Sequence, residues 1–211
     1  SQIKAFKDNV SIKSCLSYTF SVSNSQGTSL IKDRPFTAEM TRSIMLLKEK
    51  PYRPRMADYR IGVFFTGREQ LGEGAKTTVP VYYANRWDIQ PSDTAAYLRG
   101  EKVKPTKQIV FYIDNTFPEK WKPYLREGVT QWNELFEQIG FKDVVAAKDF
   151  PTDDPEFDPD NIKYSCVRYA PSSIENAMGP SWVDPRSGEI LNASVYLYHN
   201  CLLYTSDAAD D

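Results

Sequence analysis

With 211 residues, 41% of them hydrophobic and 13% aromatic, the chain has the apolar mass for a sizeable core, which excludes disorder as its global state. Twenty-six basic residues against twenty-eight acidic ones give a formal charge of -2, so no electrostatic footprint favours a nucleic-acid backbone or an anionic membrane. No stretch reaches the roughly eighteen apolar residues of a membrane-spanning helix. Fourteen prolines and ten glycines point to a mixed α and β chain rather than a helical bundle. The opening SQIKAFKDNV has no initiator Met and no signal-peptide pattern, and reads as the interior of a longer protein.

In chain order, residues 12–31 alternate around Leu16, Tyr18, Phe20 and Val22 before a polar SNSQG cluster, the pattern of a hairpin. In TAEMTRSIMLLK, Thr37 suits an N-cap and Met40, Ile44 and Leu47 recur at helical spacing, which predicts one short helix ending before Pro51. RIGVFFTGRE and TTVPVYYANRWDI, joined by a glycine-bearing linker, predict paired strands. The style changes near Lys104. KQIVFYIDN predicts a strand, and KWKPYLREGVTQWNELFEQIGF predicts one long helix from about Lys122, with an apolar stripe of core residues that includes Trp121, Trp132 and Ile139, closed by Gly140. FKDVVAA, IKYSCVRYA and ILNASVYLYH follow as further strands. The fold class is therefore α+β or mixed: a β-rich portion over 1–103, then an α/β portion over 104–200. The abrupt change at CLLYTSDAADD reads as a non-native tail over 201–211, translated from adapter sequence, with an ordinary polar terminus as the alternative.

No complete catalytic constellation is present. His199 is the sole histidine, so neither an HExxH pair nor a histidine-based zinc triad can form within the chain, and GxSxG, Walker and GxGxxG patterns are missing. Cys15, Cys166 and Cys201 have no CxxC spacing; Cys15 and Cys166 read as two unpaired, partly buried thiols, or as a disulfide if the protein is exported. The acidic stretch 153–160 reads as a solvated Pro-Asp loop, with an oxygen-ligand calcium site as the alternative. In NAMGPSWVDPRSGEILNASVYLYHN a short extended arm turns at PRSG and returns as an alternating strand. Pro180 lacks an N–H, which places that arm at a sheet edge: either an edge blunted by proline or one open to strand addition.

From Lys107 to Asn200 the chain resembles the opening of the catalytic domain of large bacterial zinc metalloproteases of the metzincin type, common in Bacteroidetes. The carrying strings are FPEKWKPYLREGVTQWNELFEQIGF, AKDFPTDDPEFDPDNIKYSCVRY and NAMGPSWVDPRSGEI. RPRMADYRIGVFF and VYYANRWDIQP resemble the end of the β-rich domain preceding it. The resemblance implies a zincin-like mixed sheet with a long backing helix, secretion to the cell envelope or beyond, and a peptide or protein substrate. In such proteins an HExxHxxGxxH helix holds zinc; none of those residues is in this chain, which is expected to be inert by itself and to bind no zinc through a complete site. The resemblance further implies that Ala177, Met178, Gly179, Pro180, Ser181 and Trp182 form the edge strand lining the substrate cleft, with Asp184 bracing its rim. His199 reads as a structural or rim residue. A sheet lacking its covering helix is expected to expose apolar surface and dissolve poorly. A secreted non-catalytic binding or assembly module, with its β-rich front half recognising a polymer or partner, is the alternative, and a purely structural domain a third reading. No pattern sets an oligomeric state.

Overall fold

The computed structural model describes residues 2–72, 74, 76–155 and 157–201, a strand-rich α+β protein in two compact units. The first unit comprises the chain up to Leu46 together with Asp158–Ile162. Its antiparallel sheet has the order β1 (Gln2–Ala5), β2 (Asn9–Ser23), β3 (Ser29–Met45). The SNSQG hairpin forms as expected: the Asn24 carboxamide oxygen accepts from the Gln26 and Thr28 N–H groups, and Gly27 takes φ +80°. A bulge follows, where Asp33 (φ 48°) donates its N–H to Ser21 Oγ at 2.9 Å.

The short helix expected at TAEMTRSIMLLK does not exist. Residues 37–45 continue β3, pairing Met40 with Ser14 and Ile44 with Val10. A spacing of four satisfies a two-residue period as well as a 3.6-residue one, and the 15 residues of β2 were available to complete the ladder.

Asn9 and Ser11 turn to the polar face, both at 3% exposure, and the 158–162 segment meets Asn9 there. Asn9 Nδ2 donates to Asn161 Oδ1 at 2.9 Å. Lys4 Nζ lies 2.7 Å from Asp158 and 3.7 Å from Asp160, and the Asp158 hydrogen bond, followed by charge, raises the lysine pKa.

The second unit holds everything else. The expected ribbon is present as β4 (Phe65–Gln70) antiparallel to β5 (Val79–Ala84). Next comes a helix the periodicity did not reveal, α1 (Thr94–Leu98), started by Asp93 Oδ1 accepting from Ala96 N–H at 2.9 Å. The main sheet then runs through β6 (Ile109–Ile113), α2 (Lys122–Thr130), α3 (Asn133–Gln138), β7 (Val145–Asp149), β8 (Ser165–Ala170), β9 (Ala177–Met178), β10 (Ser181–Asp184) and β11 (Glu189–Tyr198). Strand order is β10-β11-β8-β6-β7, with β9 also on β11. β7, β6, β8 and β11 are mutually parallel, whereas β9 and β10 are antiparallel to β11, so the sheet is mixed as the chain order implied.

The long helix is interrupted. It divides at Gln131–Trp132, with Pro123 in the first turn and Gly140 (φ 86°) past the end, as the sequence indicated. Two side chains account for the break. Thr130 Oγ1 donates back to the Arg126 carbonyl at 2.8 Å, which bends a helix. Asn133 leaves its own turn for β7: its oxygen accepts from Val144 and Val145 N–H, and its nitrogen donates to the Val145 carbonyl, all at 2.8 Å. The apolar stripe splits accordingly. Trp121, Leu125, Val129 and Phe136 pack on the core, but Trp132, Leu135 and Ile139 are exposed, contrary to expectation. Replacing Asn133 by Ala is expected to cost about 1.5 kcal/mol, from the loss of three neutral hydrogen bonds at a half-buried site; urea denaturation measures it.

Candidate functional site

The strand β11 sits between β8 and the pair β9/β10, and among the described residues no strand lies beyond that pair. Ala177 opposes Leu197, Met178 opposes Tyr196, Ser181 opposes Ala193 and Trp182 opposes Asn192. The six residues expected at the edge are thus brought together on one rim, all exposed except half-buried Pro180.

Backbone polarity along this rim follows from two bonds. Ser194 N–H donates to the Pro180 carbonyl at 3.0 Å, so Pro180 faces inward. Ala193 N–H turns the other way, to Ser165 Oγ at 3.1 Å, which makes Ser181–Ala193 the pair that exchanges no bonds. The N–H and C=O of Ser181 therefore point outward, away from the sheet. Gly179 is not needed for packing inside the chain: an added Cβ would meet only Val195 Cγ2, at an ordinary 3.9 Å.

Behind the rim lies a polar knot. Asp184, 1% exposed, accepts Arg186 N–H at 2.8 Å and both guanidinium arms, Nε at 3.0 Å and Nη2 at 2.8 Å. The Arg186 hydrogen bond is the main cause that holds its carboxyl below the ordinary value, outweighing burial, with the charges of Arg186 and Arg68 adding to it. Arg186 Nη2 also donates to the Lys48 carbonyl at 2.7 Å, while Lys48 Nζ reaches buried Glu189 at 2.7 Å. The Glu189 hydrogen bond is the chief cause raising the Lys48 pKa. Arg86 stitches β11 to the end of β5: its N–H donates to the Gly188 carbonyl and its own carbonyl accepts from Ile190 N–H. Gly188 (φ 75°) makes this possible, because a Cβ there would lie 2.6 Å from the Ala84 carbonyl oxygen. Asp184 is tied to Arg186 in the turn that follows β10; Lys48, Arg86 and Glu189 carried no signal in the sequence that set them apart from other charged residues.

On the α2 side of the sheet, a groove of about 250 Å³ runs between Tyr124, Leu125, Val129 and Trp132 and the sheet residues Val195 and Leu197. His199 Nδ1 is hydrogen-bonded with the Tyr169 hydroxyl, and its ring packs on Trp121, in line with a structural role. Cys15 is exposed and Cys166 is fully buried, so neither is the partly buried thiol expected. In the acidic loop, Asp158 is committed to Lys4 and to Asp160 N–H at 2.8 Å. Among the described residues no group of three His, Cys, Asp or Glu is placed to hold a metal ion. No helix among them is long and apolar enough to cross a membrane. The tail beyond Cys201 lies outside the described residues.

With this geometry in view, known proteins bear on the front part of the chain. Residues 1–92 match a domain of unknown function (DUF5117). No curated protein and no solved structure matches the chain. The DUF5117 match takes in the whole β1–β3 sheet and the β4/β5 ribbon, and stops just before α1; the candidate rim lies outside it.

Proposed function

We propose that this chain is part of a secreted zinc metalloendopeptidase of the metzincin type, in which residues 107–200 supply the scaffold and residues 177–182 the strand against which a substrate backbone lies. The observation that carries the reading is the outward-facing Ser181 backbone on an edge antiparallel to β11. An extended peptide arriving there finds one N–H and one C=O already aligned, which is how strand addition gains affinity. Met178 and Trp182, 51% and 42% exposed, offer side-chain contacts on either side of that backbone. The α2 groove, with its apolar sheet floor, is a seat for a further helix of the same domain.

The described residues do not fit zinc, since no three ligating groups converge among them. Zinc ligation and water activation therefore belong, on this reading, to the rest of the parent polypeptide, and no catalytic step is assigned to the residues here. Their work is to align the scissile segment.

The test uses the whole natural reading frame. Peptide hydrolysis that a chelator abolishes and added Zn²⁺ restores is the expected result; a parent with no zinc-dependent hydrolysis would overturn the proposal. Within that enzyme, Ser181→Pro removes the outward N–H and is expected to lower kcat/KM about tenfold with zinc content unchanged, the worth of one hydrogen bond.

A further inference from the structure

The β1–β3 sheet has two unlike faces. On one, Ser11, Lys13, Cys15 and Ser17 alternate opposite Ser43, Thr41, Glu39 and Thr37, with Asn9 opposite Met45 and Thr19 opposite Pro35 at its ends and Lys13 and Glu39 paired at 3.1 Å. On the other, Ile12, Leu16, Tyr18 and Phe20 alternate opposite Arg42, Ala38, Phe36 and Arg34. Large apolar side chains of the second face are open to solvent: Phe20 is 42% exposed, Phe36 44% and Ile44 64%. Tyr18 stacks on Phe36 at 5.4 Å and Phe20 meets the same ring edge-on at 5.7 Å, so the stripe is ordered by its own aromatic packing.

Charge on this face has one sign. Arg34 and Arg42 are its only ionic groups, both exposed, and neither meets a carboxylate. Eight residues of strand set them about 27 Å apart, the length of an α-helix of about 18 residues. The stripe is two strands wide at the Arg34 end and widens at the Arg42 end, where Ile3 of β1 lies beside Ile12.

We infer that this face docks an acidic amphipathic α-helix of a partner polypeptide, laid along the strands with a carboxylate near each end against Arg34 and Arg42. A second copy of the same face is a poor match, because it would oppose arginine to arginine. The inference concerns the first unit alone and does not depend on the protease reading.

A synthetic helix of 20 residues, with leucines on one face and glutamates at both ends of that face, serves as the fluorescent probe in titrations with the full chain. Saturable binding is expected. Arg34→Glu with Arg42→Glu should weaken it about tenfold, as two exposed ion pairs allow, and should make the lysine-ended version of the peptide the tighter ligand. Both arginines are exposed, so the fold is retained. Equal binding of the two peptides, or indifference to the charge reversal, would mean apolar adsorption and overturn the inference. A concentration-dependent dimer in sedimentation that excludes the peptide would place a second copy on the face and overturn it equally.

Discussion

Replacing Gly188 by Ala should lower stability by about 3 kcal/mol, the sum of a left-handed backbone forced on an L-residue and a methyl group driven into a packed site. The clash is with backbone: the new Cβ would sit 2.6 Å from the Ala84 carbonyl oxygen and 3.2 Å from its carbon, and neither can swing aside as a side-chain tip would. The strand end at Ala84–Arg86 would have to retreat, breaking the Arg86 N–H bond to the Gly188 carbonyl and the Ile190 N–H bond to Arg86. Thermal unfolding measures the loss. Gly140→Ala provides the control: it too has positive φ, but its Cβ would meet the edge of the Tyr97 ring at 2.9 Å, and a ring can tilt, so about 1 kcal/mol is expected there. Equal losses at the two positions would show that backbone conformation, not the approach of the β5 end, governs Gly188.

Asp184→Asn should cost about 2 kcal/mol at neutral pH, because it exchanges a charge-assisted, two-armed bond to Arg186 for a neutral one at a buried position. The pH dependence identifies the cause. The folded carboxyl titrates below its ordinary value of 3.8, since Arg186 favours the ionised form. A depressed folded pKa means that the unfolded chain takes up its proton first as pH falls. The contribution is therefore full above the unfolded pKa and drains away as pH drops through the folded one. Urea titrations of the parent and the variant should differ most above pH 5 and converge in strong acid. A gap that persists unchanged there would assign the loss to packing rather than to the charged pair.

How much of this could be read beforehand depended on whether a signal was local. β6, β8 and β11 were legible because apolar runs and strict alternation are properties of a few adjacent residues, and Pro180 marked the edge through its missing N–H. The second half of β3 was misread because Met40 and Ile44 fit both periods, and the decision lay in the register against β2. The interruption between α2 and α3 was hidden, since it depends on Asn133 finding the backbone of Val144 and Val145 across a turn. The rim residues came from the resemblance carried by one continuous string, whereas the long-range bonds of the knot behind them had no local signal. Lys48 and Glu189 stand 141 positions apart, and Arg186 reaches the Lys48 carbonyl over 138.

The clamp between Lys4 and Asp158 has a consequence for how the molecule assembles. The β2–β3 hairpin is closed by a short turn and can zip within microseconds of its synthesis. Its polar end waits far longer, because the segment that bonds Asn9 arrives only after another 110 or so residues have been made, and the loop to be closed spans 154 positions. A ribosome-bound chain halted before residue 158 should therefore show an early hairpin in which the Asn9 carboxamide still faces water. Burial of the Asn9 side chain would follow only once Asp158–Ile162 has left the exit tunnel, so the order of synthesis is written into which end of one sheet becomes solid last.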